Sequence, residues 1–133
     1  MQITRQADYA VRAVRYLANL GSSERAATST VAEKMSIPPS FLAKIISQLS
    51  IAGLLHTSRG ARGGVSLAHE PKDISLLDVV EAIDGPILLN ECVGDSSKCS
   101  LQSNCPLHTI WVDTQDDLVK RLKGTRFDQF VVS

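Results

Sequence analysis

The chain has 133 residues, 44% of them hydrophobic, which is enough for one ordinary core and too little for several independent domains. The sequence opens without the charged and apolar regions of a signal peptide, and no apolar run approaches the ~18 residues of a membrane span, so we expect a cytoplasmic protein with no membrane partner. The formal net charge is +0, but residues 1–72 carry nine Lys and Arg against four Asp and Glu, whereas residues 73–133 carry five against ten. This asymmetry predicts that the amino-terminal part contacts a polyanion and that the rest of the chain has another role.

Three helices are predicted before residue 53. The first spans residues 5–20, with Thr4 as its N-cap and Gly21 at its end. A short second helix ends near residue 35, and the caps available to it are Thr28, Ser29 and Thr30, with Glu33 at the capping-box position. After the break at Pro38-Pro39, a third helix over residues 40–52 is apolar on one side only.

Two short helices joined by a sharp turn indicate a helix-turn-helix, for which a plain helical hairpin is the alternative. The polar side of the third helix and the starts of the second and third helices provide the candidate DNA contacts. These are Thr28, Pro39, Ser40, Ala43, Lys44, Ser47 and Gln48.

A basic, glycine-rich hairpin follows the third helix and favours the DNA-binding interpretation. Strand-like residues 54–57 and 65–68 flank a tip that contains Arg59, Gly60, Arg62, Gly63 and Gly64. Glycine lets a backbone approach a sugar-phosphate wall, and arginine is the usual probe of a narrow minor groove. The glycines alone would suit any turn, but the two arginines indicate the wing of a winged helix.

The acidic part of the chain predicts two further helices. Ser75 caps a helix over residues 76–83 with Asp78 at the capping-box position, and Gly85-Pro86 ends it. Pro106 opens a long helix to about residue 123, and a final short turn starts at Thr125. The long helix carries an apolar stripe that we expect to form a dimer interface, with docking on its own domain as the alternative. Its members are Leu107, Ile110, Trp111, Thr114, Leu118 and Leu122.

All three cysteines of the chain lie between these two helices. Cys92, Cys99 and Cys105 are separated by six and then five residues, and His108 follows three positions after the last. Three thiolates with one weaker ligand indicate a metal site, and the wide spacing fits an iron–sulfur cluster better than the tight knuckles of structural zinc. Zinc, free redox-active thiols and a disulfide-bonded loop remain the alternatives.

The chain resembles the bacterial winged-helix iron–sulfur regulators, the family that includes IscR, NsrR and RirA. The resemblance covers essentially the whole chain and rests on several short motifs. These are Gln2-Ile3-Thr4 with Asp8-Tyr9-Ala10-Val11, Phe41-Leu42-Ala43-Lys44-Ile45, Ala52-Gly53-Leu54, Arg59-Gly60 with Gly63-Gly64, Ile74-Ser75-Leu76 before Asp78-Val79-Val80, and the three cysteines before Pro106-Leu107.

The resemblance implies a homodimer with crossed carboxy-terminal helices, a recognition helix in the major groove of operator DNA and the wing in the minor groove. It also implies an iron–sulfur cluster, with two or four irons, on Cys92, Cys99 and Cys105. In one pattern of the family the fourth ligand is a histidine, here His108, and in another it is an aspartate donated by the partner subunit, here Asp8.

The sequence therefore predicts a mainly α protein: a winged helix-turn-helix with a two-stranded wing and a long C-terminal dimerisation helix. The expected regions are 1–85 for DNA binding, 86–105 for the cluster loop, and 106–133 for the dimerisation helix and tail. We expect a transcriptional regulator, most readily a repressor, and not an enzyme, because no second cofactor motif or nucleophile–base pair is present. The alternatives are a cluster-free or zinc-bound regulator, a redox protein, and a module that regulates a partner enzyme.

Overall fold

The structure is a computed structural model and describes residues 2–21, 24–60, 63–89, 93 and 106–131. The helices and strands of these residues are α1 (Arg5–Leu20), α2 (Thr28–Met35), α3 (Pro39–Ile51), β1 (Leu55–Ser58), β2 (Gly64–Leu67), α4 (Leu76–Asp84) and α5 (Pro106–Gly124). Short 3-10 turns at Pro71–Asp73 and Phe127–Phe130 precede α4 and follow α5. The predicted fold class, a mainly helical winged helix-turn-helix with a two-stranded wing and a long C-terminal helix, is confirmed.

The helix α1 is central to the core. The Thr4 hydroxyl accepts a hydrogen bond from the Ala7 amide at 3.1 Å, so this predicted cap is confirmed. The buried side of α1 faces α2, α3, α4 and the last 3-10 turn. Its small and branched side chains, Ala10 and Val14 among them, allow the other helices to approach closely.

The short helix α2 begins differently from the prediction. Ala27 is the N-cap residue, and no side chain caps the helix, so the predicted capping box of Thr30 and Glu33 does not form. The reason lies in the preceding residue, because Ala26 exchanges two backbone hydrogen bonds of 2.9 Å with Val65 of β2. This pairing keeps the chain extended up to Ala27 and leaves Thr28 as the first helical residue.

The wing is an antiparallel pair in which Leu55 opposes Leu67 and Thr57 opposes Val65. Leu55, Val65 and Leu67 are buried in the main core. An isolated antiparallel bridge between Ala26 and Val65 adds a third pairing to this sheet, which the strand pattern of the sequence did not predict. The wing is therefore fixed at its base to the segment that leads into α2.

The helix α4 starts with the predicted capping box. The Ser75 hydroxyl accepts from the Asp78 amide at 3.0 Å, and the Asp78 carboxylate accepts from the Ser75 amide at 2.9 Å. At its other end the Asp84 carboxylate accepts from the hydroxyl and the amide of Thr4, at 2.5 and 3.3 Å. These bonds connect the start of α1 to the end of α4, 80 residues apart in the chain.

The chain after α5 returns to the winged domain. The Phe127 amide donates to the Ile74 carbonyl at 3.1 Å, and the Leu76 amide donates to the Thr125 carbonyl at 2.8 Å. Phe127 is fully buried in the main core. The predicted dimerisation segment, 106–133, thus also contributes to the core of the DNA-binding part.

Candidate nucleic-acid interface and metal-ligand region

The outward side of α3 matches the predicted recognition surface. Leu42, Ile45, Ile46 and Leu49 are buried beneath the helix. The opposite side exposes short or hydrogen-bonding side chains, which fit a DNA groove. These are Pro39, Ser40, Ala43, Lys44 and Ser47.

Gln48 is the exception among the predicted contacts on α3. Its side chain is only partly exposed, and Oε1 is buried without a hydrogen-bond partner in the described part of the chain. An oxygen without accessible surface cannot be reached by a donor on DNA unless the side chain changes its rotamer. Gln48 therefore differs from Ser40 and Ser47, which are exposed residues.

A shallow cleft separates the start of α2 from the wing. It has a volume of about 310 Å³, and Thr28, Ser29, Ser58, Gly60 and Gly63 lie on its walls. Because no side chain caps α2, the first amides of the helix remain available to an anionic oxygen. The cleft has the chemistry of a phosphate contact between the two predicted DNA-binding elements.

The glycines of the wing have a structural role within the protein, in addition to the close approach to DNA that the sequence predicts for them. A Cβ on Gly63 would lie 2.3 Å from the Ser58 carbonyl oxygen, and one on Gly64 would lie 2.5 Å from the Ala26 carbonyl oxygen. A Cβ on Gly60 would meet nothing within 4 Å, although its φ of 96° favours glycine. Gly63 and Gly64 are thus required by the wing itself, and Gly60 by its backbone angle.

Two basic side chains of this surface form no ion pair within the described part of the chain. Lys44 and Arg59 are exposed, and neither forms an ion pair with a carboxylate of the described residues. Arg62, the second predicted arginine of the wing, lies outside the described residues. Unpaired cations beside a groove-sized helix surface attract a phosphate backbone.

Of the predicted metal ligands, Cys92, Cys99 and Cys105 lie outside the described residues, while His108 and Asp8 lie within them. His108 sits in the first turn of α5, and its Nδ1 atom is buried with no hydrogen-bond partner among the described residues. A buried imidazole nitrogen with a free lone pair or proton is suited to binding a metal. The described residues alone contain no cluster of three potential metal-ligating side chains.

Asp8 is engaged with a neighbour on its own helix. Its carboxylate accepts from the Arg12 guanidinium at 2.8 Å, and the Asp8 side chain is 54% exposed. Arg12 also lies 5.3 Å from the centre of the Tyr9 ring, in a cation–π arrangement. Asp8 would have to exchange this ion pair for a metal, whereas the His108 Nδ1 atom has no partner to give up within the described part of the chain.

The predicted apolar stripe of α5 has different surroundings in its two halves. Leu107, Ile110 and Trp111 are 52%, 56% and 40% exposed, and the Thr114 hydroxyl bonds back to the Ile110 carbonyl at 2.7 Å. Leu118 and Leu122 instead pack against a small core of α4 and the segment after it, formed by Leu77, Val80 and Ile87. These two leucines therefore dock on the chain's own domain, while the dimer interface stays a prediction.

No helix of the described residues combines the length and the apolar character that crossing a bilayer requires.

Comparison with known proteins gives one consistent result. A family model described as Rrf2, iron-dependent transcriptional regulator, matches residues 3–133. Protein rrf2 of Nitratidesulfovibrio vulgaris is 30% identical over 122 residues, which are 92% of this chain and 81% of that protein.

Two solved structures share the fold at lower identity. CymR, the global cysteine regulator of B. subtilis, superposes with a TM-score of 0.80 at 23% identity and covers 96% of this chain and 94% of its own. IscR of T. potens superposes with a TM-score of 0.72 at 23% identity, over 96% and 84% of the two chains. The chain therefore belongs to the Rrf2 family and is a winged-helix, DNA-binding transcriptional regulator rather than an enzyme.

Proposed function

We propose that the protein is a cytoplasmic homodimeric repressor whose affinity for operator DNA is controlled by an iron–sulfur cluster bound to Cys92, Cys99, Cys105 and His108. The observation that carries the DNA-binding part is the α3 surface with unpaired Lys44 beside the uncapped start of α2 and the wing. The observation that carries the cluster is the buried Nδ1 of His108, which has no hydrogen-bond partner among the described residues and follows Cys105 by three positions in the sequence.

On DNA, the outward side of α3 enters the major groove. Ser40, Ala43 and Ser47 face the base edges, and the partly exposed Gln48 is a further candidate for a base contact. Lys44 contacts a phosphate, since its flexible stem reaches beyond the helix surface. Two such helices in a dimer, one DNA turn or ~34–36 Å apart, read a pseudo-palindromic site.

The wing and the start of α2 contact the flanking backbone. Arg59 at the hairpin tip enters the minor groove, where the negative potential favours a guanidinium. A phosphate oxygen accepts hydrogen bonds from the first amides of α2, in the cleft lined by Thr28 and Gly60. These contacts position α3 and carry little sequence information.

The ligand residues connect two parts of the fold. His108 lies in the first turn of α5, Cys105 precedes α5 in the sequence, and Cys92 follows the segment that leaves α4, so an inorganic group shared by these residues would join α5 to α4. The four residues would hold an iron–sulfur cluster, which would supply reactivity towards oxygen or nitric oxide and a dependence on iron supply, with His108 as the more readily displaced ligand. The exposed side of α5 around Ile110 makes the dimer contact, so a change in how α5 is held alters the spacing of the two α3 helices.

The DNA-binding part is tested with a duplex selected from a random-sequence pool, titrated at several salt concentrations. The variant Lys44→Gln is expected to weaken binding and to reduce the slope of log K against log salt by about 1.8, the value of two lost phosphate contacts, one in each subunit of the dimer. The variant Lys123→Gln, at the far end of α5, is the control with the same loss of charge. Equal slopes for the two variants would remove Lys44 from the interface.

The cluster part is tested on protein that is purified without oxygen, with its visible spectrum, iron and sulfide content, and DNA affinity measured together. His108→Ala is expected to lower the retained iron and shift the spectrum, and Asp8→Asn is expected to leave both unchanged. The reverse pattern would assign the fourth ligand to Asp8. A colourless protein that holds zinc, or equal DNA affinity with and without the cluster, would support the cluster-free alternative.

A further inference from the structure

A cavity lies between α1, the start of α4 and the 3-10 turn that follows α5. Its volume is about 500 Å³, which is within the range of clefts that bind small molecules. None of its residues belongs to the predicted DNA contacts or to the predicted apolar stripe of α5. The side chains on its walls include Val11, Arg15, Leu76, Phe127, Gln129 and Phe130.

The walls of this cavity are joined to one another by backbone hydrogen bonds. The Leu76 amide donates to the Thr125 carbonyl at 2.8 Å. The Phe127 amide donates to the Ile74 carbonyl at 3.1 Å. On the other side, α1 packs against both α4 and the 3-10 turn. The cavity is therefore formed by the folded chain itself, and a ligand does not have to order its walls on binding.

Most of the cavity surface is apolar. Phe127 is fully buried, and Val11 and Leu76 are half-buried. Phe130 is still 39% exposed, and its ring packs edge-to-face on Phe127 at a ring separation of 6.0 Å. An aromatic ring that is held in place beside aliphatic side chains offers apolar contact area that is now in water. A ligand that gains free energy from this surface has an apolar body.

Arg15 supplies the charge of the cavity. Its side chain is exposed, and it forms no ion pair within the described part of the chain. It follows Val11 by four residues, so the two side chains share one side of α1. None of the described residues on the walls is acidic, and Asp128, the acidic residue next to Phe127 in the sequence, is not paired with Arg15. A guanidinium in this state can bind a carboxylate through two parallel hydrogen bonds.

We propose that this cavity binds a small amphipathic carboxylate, with its apolar body against Leu76 and Phe130 and its carboxylate on Arg15. A wholly apolar ligand would leave the guanidinium without a partner, and a cationic ligand would be repelled by it. A small ligand suits the concave shape and the single charge, whereas the predicted contact between two copies of the chain lies on α5 around the exposed Ile110. The site requires no metal, so it does not depend on the proposed iron–sulfur function.

The test titrates the full, isotope-labelled chain with octanoate and follows the backbone amide signals by NMR. Octanol and octylamine are the comparison probes, because they have the same apolar chain with no charge or with the opposite charge. Octanoate is expected to shift the amides of Leu76, Phe127 and Phe130 with a Kd of about 1 mM or lower, the scale for a ligand of this size. Octanol and octylamine are expected to bind at least about tenfold more weakly, because they lack the charge-assisted pair with Arg15.

Two variants separate the polar and the apolar ends of the site. Arg15→Gln is expected to weaken octanoate binding about tenfold and to change octanol binding by less than about twofold. Arg121→Gln removes the same charge from an exposed position on α5 and is the matched control, which is expected to leave both affinities unchanged. Phe130→Ala shortens the apolar wall and is expected to weaken octanoate and octanol alike, by about threefold or more.

Equal octanoate affinity of the parent chain and Arg15→Gln, or octylamine binding as tight as that of octanoate, would overturn the proposal. Shifts confined to the exposed residues of α5, or the absence of any saturable shift, would overturn it as well. Sedimentation velocity with and without octanoate tests the other possible occupant. A dimer that octanoate dissociates would show that a second copy of the chain covers the cavity, and the assignment to a small ligand would then be wrong.

Discussion

Phe127 is the largest fully buried side chain among the described residues, although it lies near the end of the chain. It packs edge-to-face with Phe130 at a ring separation of 6.0 Å, and its amide bonds to Ile74 in front of α4. Residues this close to a chain end are usually loosely held, unless the fold binds them. Here one aromatic ring joins the tail to the core of the winged domain.

The expected consequence is a large difference between two neighbouring phenylalanines. Phe127→Ala leaves a cavity in the main core and is expected to lower the free energy of unfolding by about 3–5 kcal/mol. Phe130→Ala, at a side chain that is 39% exposed, is expected to cost about 1 kcal/mol. Urea unfolding followed by circular dichroism measures both, and similar midpoints for the two variants would contradict the burial of Phe127.

At the scale of elements, the wing depends on glycine for its own geometry. Gly63 donates its amide to the Gly60 carbonyl at 2.9 Å and leaves no room for a Cβ beside the Ser58 carbonyl. Gly60 and Gly63, on either side of the tip, are therefore held close together, and the position of the wing relative to α2 follows from the Ala26–Val65 pairing.

Gly63→Ala is expected to distort the wing, lowering the free energy of unfolding by about 1–3 kcal/mol and weakening DNA binding as well. Gly124→Ala is the matched control, because a Cβ at the end of α5 would meet nothing within 4 Å. That variant is expected to be neutral or stabilising by up to about 1 kcal/mol. Thermal unfolding and DNA titration of the two variants check the difference, and equal behaviour would show that the wing tolerates a side chain.

The elements that the sequence predicted well are those whose determinants are local. The caps Thr4 and Ser75 bond to amides three residues ahead, so the sequence pattern contains both partners. The start of α2 was missed because its determinant, the Ala26–Val65 pair, joins residues far apart in the chain. Gln115 was missed for the same reason, because its hydrogen-bond partner Ile87 lies 28 residues away in the chain. A glutamine among charged positions of a helix is usually predicted to be exposed.

At the scale of the whole molecule, the two halves of α5 have different surroundings. Periodicity placed its apolar residues on one stripe, and in the structure Leu118 and Leu122 of that stripe pack towards α4 while Leu107 and Ile110 are exposed. Leu107 and Leu118 are only about 20° apart around a helix of 3.6 residues per turn, so the two halves differ in position along the axis and not in direction. Only contacts with the rest of the chain decide which residues of such a helix face inward.

The exposed side predicts the oligomeric state. Ile110→Asp is expected to convert a dimer into a monomer without unfolding it, because a carboxylate is poorly tolerated in an apolar interface and Ile110 is 56% exposed within the chain. Thr109→Asp adds the same charge one residue away, on another exposed side, and is expected to leave the dimer intact. Sedimentation velocity distinguishes the two, and a dimeric Ile110→Asp variant would exclude this surface as the interface.

The way α5 is held has a mechanical consequence. Leu118, Leu122 and the adjoining Phe127 hold its carboxy-terminal half against the winged domain, while its amino-terminal half bears the proposed ligand His108 and the exposed Ile110. From Pro106 to Leu118 the helix rises by twelve residues, or ~18 Å, so a tilt of about 10° about Leu118 displaces its first residue by about 3 Å. His108 and Ile110 both belong to this displaced half, so a chemical change at the histidine would move the proposed dimer contact with it.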